Sequence, residues 1–379
     1  MDFSSTSQPS AAAEPATLFV AMELSKSSWL VAMHSPVIDK VSQHHIHSGD
    51  IEELFALIER KRTHAHAKLG RPVRIVSCYE AGYDGFRLHR LLQARGIDNR
   101  VLDASSILVD RRARRAKSDR LDLAGLLRTL MALERGESRV CRVVCVPSVE
   151  QEDARRRSRE RERLVNERCQ HSNRIKGLLM LHGIRDFDPT RPDWLERLNR
   201  MRTAGGQTLP GCLQAEILRE CRRLWQVIEM IAEVEAQQRQ AMQQQTGTAA
   251  FLFRVKGIGP TVASVLADEV FFRDFKNRRE LGAYLGLATS PWRSGSMVRD
   301  QGIGKAGNPR ARRIAVELAW LWLRHQRNSA LAQWFHARVG VMKGRLRRIM
   351  LVAMARKLMV ALWRYLREGL VPIGATLKA

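Results

Sequence analysis

The acidic residues of the segment Arg114–Asp122 are the first candidates for chemistry. The segment reads RRAKSDRLD, and its two aspartates stand three positions apart among four basic residues. If the segment is helical, Asp119 and Asp122 occupy positions i and i+3 on one face, where their carboxylates can converge. Like charges that close repel each other unless a cation lies between them. The pair is therefore either a solvated part of a basic helix or a set of ligands.

Two more acids lie at the ends of apolar runs. Glu23 closes the run LFVAME, and Glu80 closes VRIVSCYE. The second run is continuously apolar at its centre, as expected for a buried strand. If the two strands are neighbours, both glutamates reach one edge of a sheet. They would then face the helix that carries Asp119 and Asp122.

Four carboxylates in that arrangement would suit divalent metal ions. Carboxylate oxygens are the hard donors that Mg²⁺ prefers, and two such ions polarise a phosphodiester and stabilise its attacking and leaving oxygens. Each acid taken alone is more often a solvated residue at the end of a strand or helix. The order of all four along one domain favours a two-Mg²⁺ site of the ribonuclease H-like kind, in which we expect Mn²⁺ to substitute.

An α/β domain is predicted to position the acids. Residues 17–35 contain two short apolar runs joined by a polar turn, which indicates a hairpin. A helix follows, with apolar residues at helical spacing behind a cap at Ser48 or Asp50. A buried strand, a second helix and a short strand complete the pattern. We therefore expect an α/β domain over residues 17–148, after a disordered N-terminus of residues 1–16.

Two long helices are predicted over residues 149–248. The segment from Glu150 to about Gly183 is charge-dense, lacks proline and is rich in good helix formers. The second helix, over about residues 213–245, has apolar residues at intervals of four and three, the spacing of a coiled-coil seam. The seam residues are Ile217, Cys221, Leu224, Ile228 and Ile231. The seam has two explanations of equal weight, an intramolecular helical hairpin and a dimerisation arm.

The remaining residues, 249–379, are predicted to form helices joined by polar loops. Lys256, Gly257 and Gly259 precede a helix opened by Pro260, which resembles a helix-hairpin-helix whose backbone amides hold a phosphate. An ordinary tight turn is the alternative. The basic tail near the C-terminus fits a packed helix with a basic outer face better than a helix on a membrane surface, because its apolar stripe is continuous.

The charge balance favours a polyanionic partner. The chain contains 64 Lys+Arg and 39 Asp+Glu, a formal net charge of +25. Such an excess attracts nucleic acid or an anionic membrane rather than a small neutral substrate. The sequence has no uncharged apolar run of about 18 residues and no signal-peptide pattern, so we expect a cytoplasmic protein. Its six cysteines and its histidines include no zinc-ligand spacing.

Four segments together resemble a known family. They are AMELSKS, YEAGYDGFRLHRLL, RRAKSDRLDLAGLLRTL and LGAYLGLATSPWRSGSMVRDQGIGKAGNPRARRIAVELAW. In this order they are similar to the DEDD transposases of bacterial insertion sequences, the group whose members are guided by a bridge RNA. The resemblance covers about residues 18–325. It implies a RuvC-like N-terminal domain, a coiled-coil connection and a helical transposase domain.

The resemblance also implies the catalytic residues. Its acidic tetrad falls on Glu23, Glu80, Asp119 and Asp122, although the family usually has Asp where this chain has Glu23. Glutamate keeps the charge and adds a methylene, so its carboxylate must bend back to reach the same metal. The nucleophilic serine of the family, which precedes a glycine, falls on Ser294.

The segment around Ser294, residues 288–313, reads as a polar, glycine-rich loop. Ser290 and Ser296 are the competing serines, and the Ser-Gly match favours Ser294. A serine hydroxyl becomes nucleophilic when a base, a metal or nearby positive charge favours its alkoxide. The cations predicted to contact nucleic acid are Arg293, Arg299 and Lys305 in this segment, Lys256 at the Gly-x-Gly turn, and Arg114, Arg115, Lys117 and Arg120 beside the aspartates.

The resemblance implies DNA transposition by a bacterial, nucleoid-associated protein. Metal ions held by the tetrad would position the scissile phosphate, and Ser294 would attack it to form a phosphoserine DNA intermediate. Donor DNA, target DNA, a structured bridge RNA and a homo-oligomer, either dimer or tetramer, are the expected partners. Two other classes stay open: a Holliday-junction or structure-specific nuclease that uses the tetrad with water, and a non-catalytic basic scaffold. The basic run Arg155–Arg163 is either a set of phosphate contacts or a solvated helix face.

Overall fold

The apolar runs near the N-terminus form a five-stranded mixed sheet. The computed structural model describes residues 14–38, 40–108, 119–243, 247–294 and 297–378. The strands of the sheet are β1 (Ala16–Leu24), β2 (Ser28–His34), β3 (Val41–His47), β4 (Val73–Glu80) and β5 (Asp98–Leu102). Their order is β3-β2-β1-β4-β5; β2 is antiparallel to β1 and β3, and β4 is parallel to β1 and β5.

The chain divides into two compact units, residues 1–146 and 147–379. The sheet belongs to the first unit and most helices to the second, so the predicted mixture of an α/β region and a helical region is confirmed. Residues 1–13 of the N-terminus that we predicted to be disordered lie outside the described residues. β1 begins at Ala16.

Three helices cover the sheet. They are α1 (Ile51–Leu69), α2 (Arg87–Ala94) and α3 (Asp119–Glu134). Successive side chains of a strand point to opposite faces, and β1 shows this directly. Leu18 and Met22 pack in one cluster with residues of α1 and α2, whereas Ala21 packs in another with residues of α3. The sheet is therefore buried on both faces. Of the two predicted caps, Asp50 is the one that α1 uses, since its carboxylate accepts a hydrogen bond from the Glu53 amide at 2.9 Å.

Strand β3 was missing from the predicted order of elements. Its sequence, VSQHHIH, is polar, and Ile46 is its one buried residue. β3 pairs with β2 and lies at the edge of the sheet. An edge strand of this kind buries little apolar surface, so the hydrophobic pattern carries little signal for it.

Helix α3 runs antiparallel to β4. At its C-terminal end Glu134 forms ion pairs with Arg74, near the start of β4, and with Arg100 at 2.6 Å. Near its middle the Cys78 thiol, close to the end of β4, donates to the Leu126 carbonyl at 3.8 Å. The N-terminus of α3 therefore points toward the edge where β4 ends.

The second unit opens with a long helical hairpin. Its arms are α4 (Val149–Met180) and α6 (Gly211–Gln243), with the short α5 (Trp194–Asn199) between them. The seam residues Ile217, Cys221 and Leu224 pack with Ile175 and Leu179 of α4. Of the two explanations for the seam, the structure shows the intramolecular one. A dimerisation role stays a prediction.

The rest of the second unit is a helical cluster around the buried Trp322. Its helices are α7 (Gly247–Phe253), α8 (Pro260–Glu269), α9 (Arg278–Tyr284), α10 (Pro309–His325), α11 (Ala330–Val339) and α12 (Gly344–Glu368). α12 contains the basic tail, and its Met354, Leu358 and Leu362 are buried in the cluster. None of the helices within the described ranges is long and apolar enough to cross a membrane.

The prediction of a loop over residues 288–313 is wrong in part. A β-hairpin stands there, with strands β6 (Thr289–Ser294) and β7 (Met297–Ile303). Glycines and serines suggested a connection, but the residues between them include Trp292 and Val298, which favour strands. Cross-strand hydrogen bonds, which a composition does not reveal, give the segment its regular structure.

The ion pairs of Glu134 should fix the position of α3 and hence of Asp119 and Asp122. Burial alone would raise the pKa of Glu134, but the hydrogen bonds and charges of Arg74 and Arg100 outweigh it and lower the pKa. We expect Glu134→Gln to lower the free energy of unfolding of the first unit by about 1–3 kcal/mol at pH 7. A lowered pKa contributes stability that is fully present above the unfolded value of about 4.3 and is lost as the pH falls through the folded pKa. Variant and parent should therefore converge only at a pH below both pKa values.

Chemical unfolding with hydrogen exchange as the readout would measure this effect in the first unit. Glu137→Gln is the matched control, because Glu137 pairs with Arg135 on the exposed surface, where an ion pair contributes little. Equal losses for the two variants would show that Glu134 has no special role in holding α3.

Candidate functional site

Glu23 and Glu80 come together at one edge of the sheet. β1 and β4 are parallel neighbours, and their last paired residues are Met22 and Tyr79. Each glutamate follows directly, so the two backbones lie side by side, about 4.8 Å apart. Glu23 lies two positions after Ala21, and Glu80 lies two positions after Cys78. Ala21 and Cys78 pack against α3, and side chains two positions apart on a strand point to the same face. Both glutamates therefore belong to the face of the sheet that α3 covers. Glu23 is half-buried and Glu80 is exposed.

Asp119 and Asp122 lie on α3 at the same edge. Asp122 stands one helical turn, about 6 Å, before Leu126, and Glu80 stands two strand positions, about 6.6 Å, beyond Cys78. Because Leu126 contacts Cys78, Asp122 and Glu80 are level with each other. Asp119 and Asp122 precede the buried residues Leu123 and Leu126 at helical spacing. Both aspartates therefore lie on the side of α3 that packs against the sheet. Both aspartates are exposed.

The side chains of the four acids are not gathered around one point. Within the part of the chain that the structure describes, no three acidic, histidine or cysteine side chains stand close enough to hold a metal ion. The acids nevertheless fit a divalent cation in donor type and in backbone placement. Changes of rotamer would be needed to gather them, and a cation would favour such changes by relieving the repulsion between carboxylates.

Three of the cations predicted beside the aspartates, Arg114, Arg115 and Lys117, lie outside the described residues. Arg120 is exposed between the two aspartates. A further cation, which the sequence did not single out, lies after β1: Lys26 stacks on the ring of Tyr83, 4.9 Å from its centroid. Tyr83 follows β4 and is 87% exposed. The edge with the acids thus also carries a cation and an exposed aromatic ring.

Ser294 is the last residue of β6 and pairs with Met297 of β7. It therefore lies at the tip of the hairpin. Residues 295 and 296, which include the competing Ser296, lie outside the described residues. Arg293 and Arg299 lie on the two strands behind the tip. The backbone thus places two of the predicted cations close to the serine in sequence and in register.

The base of the hairpin is fixed by close backbone contacts. The amides of Gly304 and Lys305 donate to the carbonyls of Ala288 and Gly286 at 2.8 and 3.2 Å. Gly307 has φ of +119°, and a Cβ atom there would collide with the carbonyl oxygen of Tyr284. Only glycine combines that dihedral angle with that approach. This contact accounts for the glycine at position 307 in the segment GKAGN, which follows β7.

Asn308 joins the base of the hairpin to a buried carboxylate. Its side-chain oxygen caps α10 by accepting from the first amides, at 3.0 and 3.2 Å, and its amide donates to Glu269 at 3.2 Å. Glu269 also accepts from Arg159 of α4 at 2.7 Å, and Tyr284 donates to its carbonyl at 2.6 Å. Burial alone would raise the pKa of Glu269, but Arg159 outweighs it and lowers the pKa. This network was not predicted from the sequence.

The Gly-x-Gly turn stands between α7 and α8, as predicted. Gly257 has φ of +90°, and its missing side chain makes room for His325, whose Cβ lies 2.9 Å from the position of a Cβ atom. Gly259 is the N-cap of α8 and supplies no side-chain cap. Lys256 is exposed, and Gln326 donates to its carbonyl at 2.8 Å. The turn leaves the first amides of α8 without a capping side chain, which suits an anion.

The arginines of α4 mostly serve the fold. Arg159 pairs with Glu269 and Arg161 with Glu235, and Arg155 stacks on Phe272. By contrast, α12 brings its arginines to a large cleft of about 1990 Å³ beside the base of the hairpin. Lys305 lines this cleft too. The sequence revealed a basic outer face on the tail, but not the concave surface to which that face belongs.

Comparison with known proteins identifies the class. A sequence model described as "Transposase IS116/IS110/IS902 family" matches residues 249–334. The chain is 46% identical over 375 residues to "Putative transposase y4rJ" of Sinorhizobium fredii (strain NBRC 101917 / NGR234), covering 95% of this chain and 94% of that relative. It is 26% identical over 217 residues to "Transposase for insertion sequence element IS1328" of Yersinia enterocolitica, covering 56% of this chain and 62% of the relative.

These similarities extend over nearly the whole chain, and the matched segment contains the Gly-x-Gly turn, the hairpin and the Asn308 cap. The predicted resemblance to transposases of insertion sequences is confirmed. The chain belongs to the IS116/IS110/IS902 family of transposases.

The helix cap of Asn308 and its hydrogen bond to Glu269 should contribute separately to stability. We expect Asn308→Ala to lower the free energy of unfolding of the second unit by about 1–3 kcal/mol, because it removes a helix cap and a donor to a buried carboxylate. Asn308→Ser keeps an oxygen for the cap and should recover about 1 kcal/mol. Chemical unfolding of the full chain would measure both.

Asn277→Ala is the matched control, since Asn277 caps α9 through the Arg279 and Glu280 amides but is exposed. Asn277→Ala should lower the free energy of unfolding by about as much as the loss of a helix cap alone. If Asn308→Ala lowers the free energy of unfolding no more than Asn277→Ala does, the hydrogen bond to Glu269 does not hold the base of the hairpin.

Proposed function

We propose that this protein is a DNA recombinase of an insertion sequence, which cleaves and exchanges DNA strands with its acidic edge and Ser294. The observation that carries the proposal is the placement of four acids at one edge of the sheet. Glu23 and Glu80 end adjacent parallel strands, and the antiparallel packing of α3 brings Asp119 and Asp122 to the same level. These acids lie far apart in sequence, and their carboxylates are the hard oxygen donors that a divalent cation prefers.

The proposal includes a RuvC-like, ribonuclease H-like fold for the first unit. Three features support it: the mixed sheet with parallel strands at its centre, the helices on both faces, and acids at the carboxyl ends of β1 and β4. In open sheets of this type, sites form beyond the carboxyl ends of the strands. The acids are on that edge.

In the proposed mechanism, Glu23, Glu80, Asp119 and Asp122 hold two Mg²⁺ ions. When bound, these ions supply Lewis-acid polarisation of the scissile phosphodiester and balance the charge that develops on its oxygens. The extra methylene of Glu23, compared with aspartate, requires a bent side chain to reach the same metal. Lys26 and Tyr83 would contact the DNA beside the acids through a phosphate and a base.

Ser294 is the proposed nucleophile. Its hydroxyl oxygen attacks the phosphorus, the phosphodiester bond to the leaving deoxyribose oxygen breaks, and the proton passes to that oxygen. The Ser294–phosphate ester conserves the energy of the broken bond, so a hydroxyl from another strand can reverse the step and reseal DNA. Arg293 and Arg299 on the hairpin, with Lys305 at its base, would bind the phosphate oxygens and favour the alkoxide.

Donor DNA, target DNA and a structured bridge RNA are the proposed partners. A net charge of +25 suits several nucleic-acid segments at once, and a structured RNA is recognised largely through phosphates and shape. The acids and Ser294 belong to different units of the chain. A dimer or tetramer, in which one subunit supplies the acids and another the serine, would complete the site.

The acids should be required for cleavage. We expect Asp119→Asn and Asp122→Asn each to lower the rate of DNA strand cleavage at least a hundredfold in Mg²⁺, because each removes charge with little change of shape. Asp98→Asn is the control, since Asp98 starts β5 and thus lies at the opposite edge of the same sheet. Cleavage at the parental rate by either test variant would refute the metal site.

At Glu23 the same cleavage assay distinguishes the effect of side-chain charge from the effect of side-chain length. Glu23→Asp restores the acid usual in the family and should remain active, whereas Glu23→Gln should be inactive. An active Glu23→Gln would leave three acids as ligands instead of four.

Ser294 distinguishes recombinase from nuclease. With Ser294 as nucleophile, denaturing gels should show DNA covalently attached to the protein, and Ser294→Ala should lose both the adduct and strand exchange. Nucleic-acid binding should persist, because one hydroxyl contributes little to so large an interface. In the alternative, a junction or structure-specific nuclease, water attacks the phosphorus, so Ser294→Ala would cut DNA normally and no adduct would form.

Mass spectrometry of the adduct would test the residue assignment. Ser290→Ala and Ser296→Ala are the controls and should still form the adduct. An adduct mapped to either serine would keep the recombinase and overturn the role of Ser294.

A further inference from the structure

The cleft of the second unit is too large for a small-molecule site. Its volume of about 1990 Å³ exceeds the range of about 300–1,000 Å³ for such sites. One wall is α12, and the others are the start of α9, the base of the β6/β7 hairpin, α11 and residues 370–373. A groove of this size suits a stretch of polymer.

The charges of the cleft are all of one sign. Eight cations line it, among them Arg278, Lys305, Arg345, Arg348, Arg356 and Arg364, and its lining contains no acidic residue. Among the described residues, none of the eight forms an ion pair with a carboxylate. Clustered cations repel each other, in contrast to the paired arginines of α4. The occupant that removes this repulsion is a polyanion.

The cations of α12 form a row. Arg345, Arg348, Arg356 and Arg364 recur at spacings that keep them on one side of the helix, and the row is about 28 Å long at 1.5 Å per residue. Arg345, Arg348 and Arg364 are exposed. A row of guanidinium groups matches the regular spacing of charges along a nucleic-acid strand, which arginine binds well.

Apolar surface lies between the cations. Ile349 and Val352 share the row on α12, and Leu370 and Ile373 face the cleft from the C-terminal segment. Ile349 is 50% exposed, Leu370 58% and Ile373 82%. A DNA duplex hides the faces of its bases in the stack, so it would leave this apolar surface without a contact. An unpaired strand presents both phosphates and base faces.

The cleft is continuous with the hairpin that bears Ser294. Thr289 and Ile303, the outer ends of β6 and β7, line it together with Lys305. Ser294 lies five strand positions from Thr289, about 17 Å at 3.3 Å per residue. A strand bound in the cleft would therefore emerge near the proposed nucleophile, and this relation rests on the proposed function.

We infer that the cleft binds an unpaired segment of nucleic acid, with phosphates on the cations and bases on the apolar wall. DNA opened during strand exchange and a single-stranded part of a guide RNA share this chemistry. A lipid bilayer is a poorer match because the cleft is concave. An acidic segment of a second copy is also disfavoured by a chain of net charge +25.

Fluorescence anisotropy on the full chain tests the inference in EDTA, which prevents metal-dependent cleavage. The probes are a 20-nucleotide DNA strand, an RNA strand of the same sequence and the corresponding DNA duplex. The double variant Arg348→Glu/Arg364→Glu should bind at least one of the single strands tenfold more weakly, and the duplex no more than about threefold. The strand that loses affinity identifies DNA, RNA or both as the source. The log–log salt slope for that strand should become shallower by about 1.4, or 0.7 per lost phosphate contact.

Arg222→Glu/Arg239→Glu is the matched control, because both arginines are exposed on α6 away from the cleft and the change in charge is the same. It should affect every probe equally and weakly. Ile349→Ser, a change at a half-exposed position, should weaken single-strand binding severalfold and leave duplex binding unchanged. Circular dichroism would verify that the variants are folded.

Three results would overturn the inference: equal losses for duplex and single strands, equal losses in the cleft and control variants, or unchanged binding of every probe. Tighter, cleft-dependent binding to vesicles of anionic lipid than to strands would also overturn it. The adduct assay on Ser294 is independent. Strand binding that survives without any adduct rejects only the serine mechanism, and an adduct that forms despite cleft-independent strand binding rejects only the cleft.

Discussion

Repulsion between like charges is the constraint that shapes both units of this transposase. The first unit brings four acids to one edge of its sheet, and the second gathers eight cations in one cleft. Each arrangement costs free energy in the isolated chain. Elsewhere the chain neutralises its charges internally, as Glu269 does with Arg159 and Glu162 with Arg310. External charge, cationic at the edge and anionic in the cleft, would therefore lower the repulsion in each cluster.

Internal ion pairs also set the geometry of these clusters. Glu134 holds the C-terminal end of α3 against Arg74 and Arg100, and a rigid helix transmits that position to its first turns, where Asp119 and Asp122 lie. In the second unit, Asn308 and Glu269 hold the start of α10 and thereby the base of the Ser294 hairpin. In both units the proposed functional residues stand at one end of an element whose other end, or base, is held by a carboxylate, half-buried in the case of Glu134 and buried in the case of Glu269. Precise placement at exposed positions depends on such contacts.

Much of this was readable from the sequence where the signal is local. The apolar runs that end at Glu23 and Glu80 predicted strands, although not that these strands are neighbours, and the spacing of Asp119 and Asp122 predicted one face of a helix. The Glu269 network was not predicted because Arg159 and Asn308 lie 110 and 39 residues away from Glu269 in the sequence. Hydrophobic periodicity carries information only about residues close together in the sequence. The hairpin escaped because cross-strand pairing outweighs a glycine-rich composition. The cleft was not predicted because its walls come from α9, α11, α12 and the base of the hairpin, which are separate segments of the sequence.

The division of the chemistry between two units has a consequence for control of the reaction. Under the proposed mechanism, the acids alone would direct water at a phosphodiester, and Ser294 alone would lack the polarised phosphate that it must attack. In that mechanism nucleic acid, which carries the phosphates that both clusters require, would supply the favourable energy for assembling the site. A chain whose like-charged clusters repel within each unit gains most from that binding. In that mechanism strand cleavage would be coupled to assembly on DNA, and unassembled protein would not cut at random.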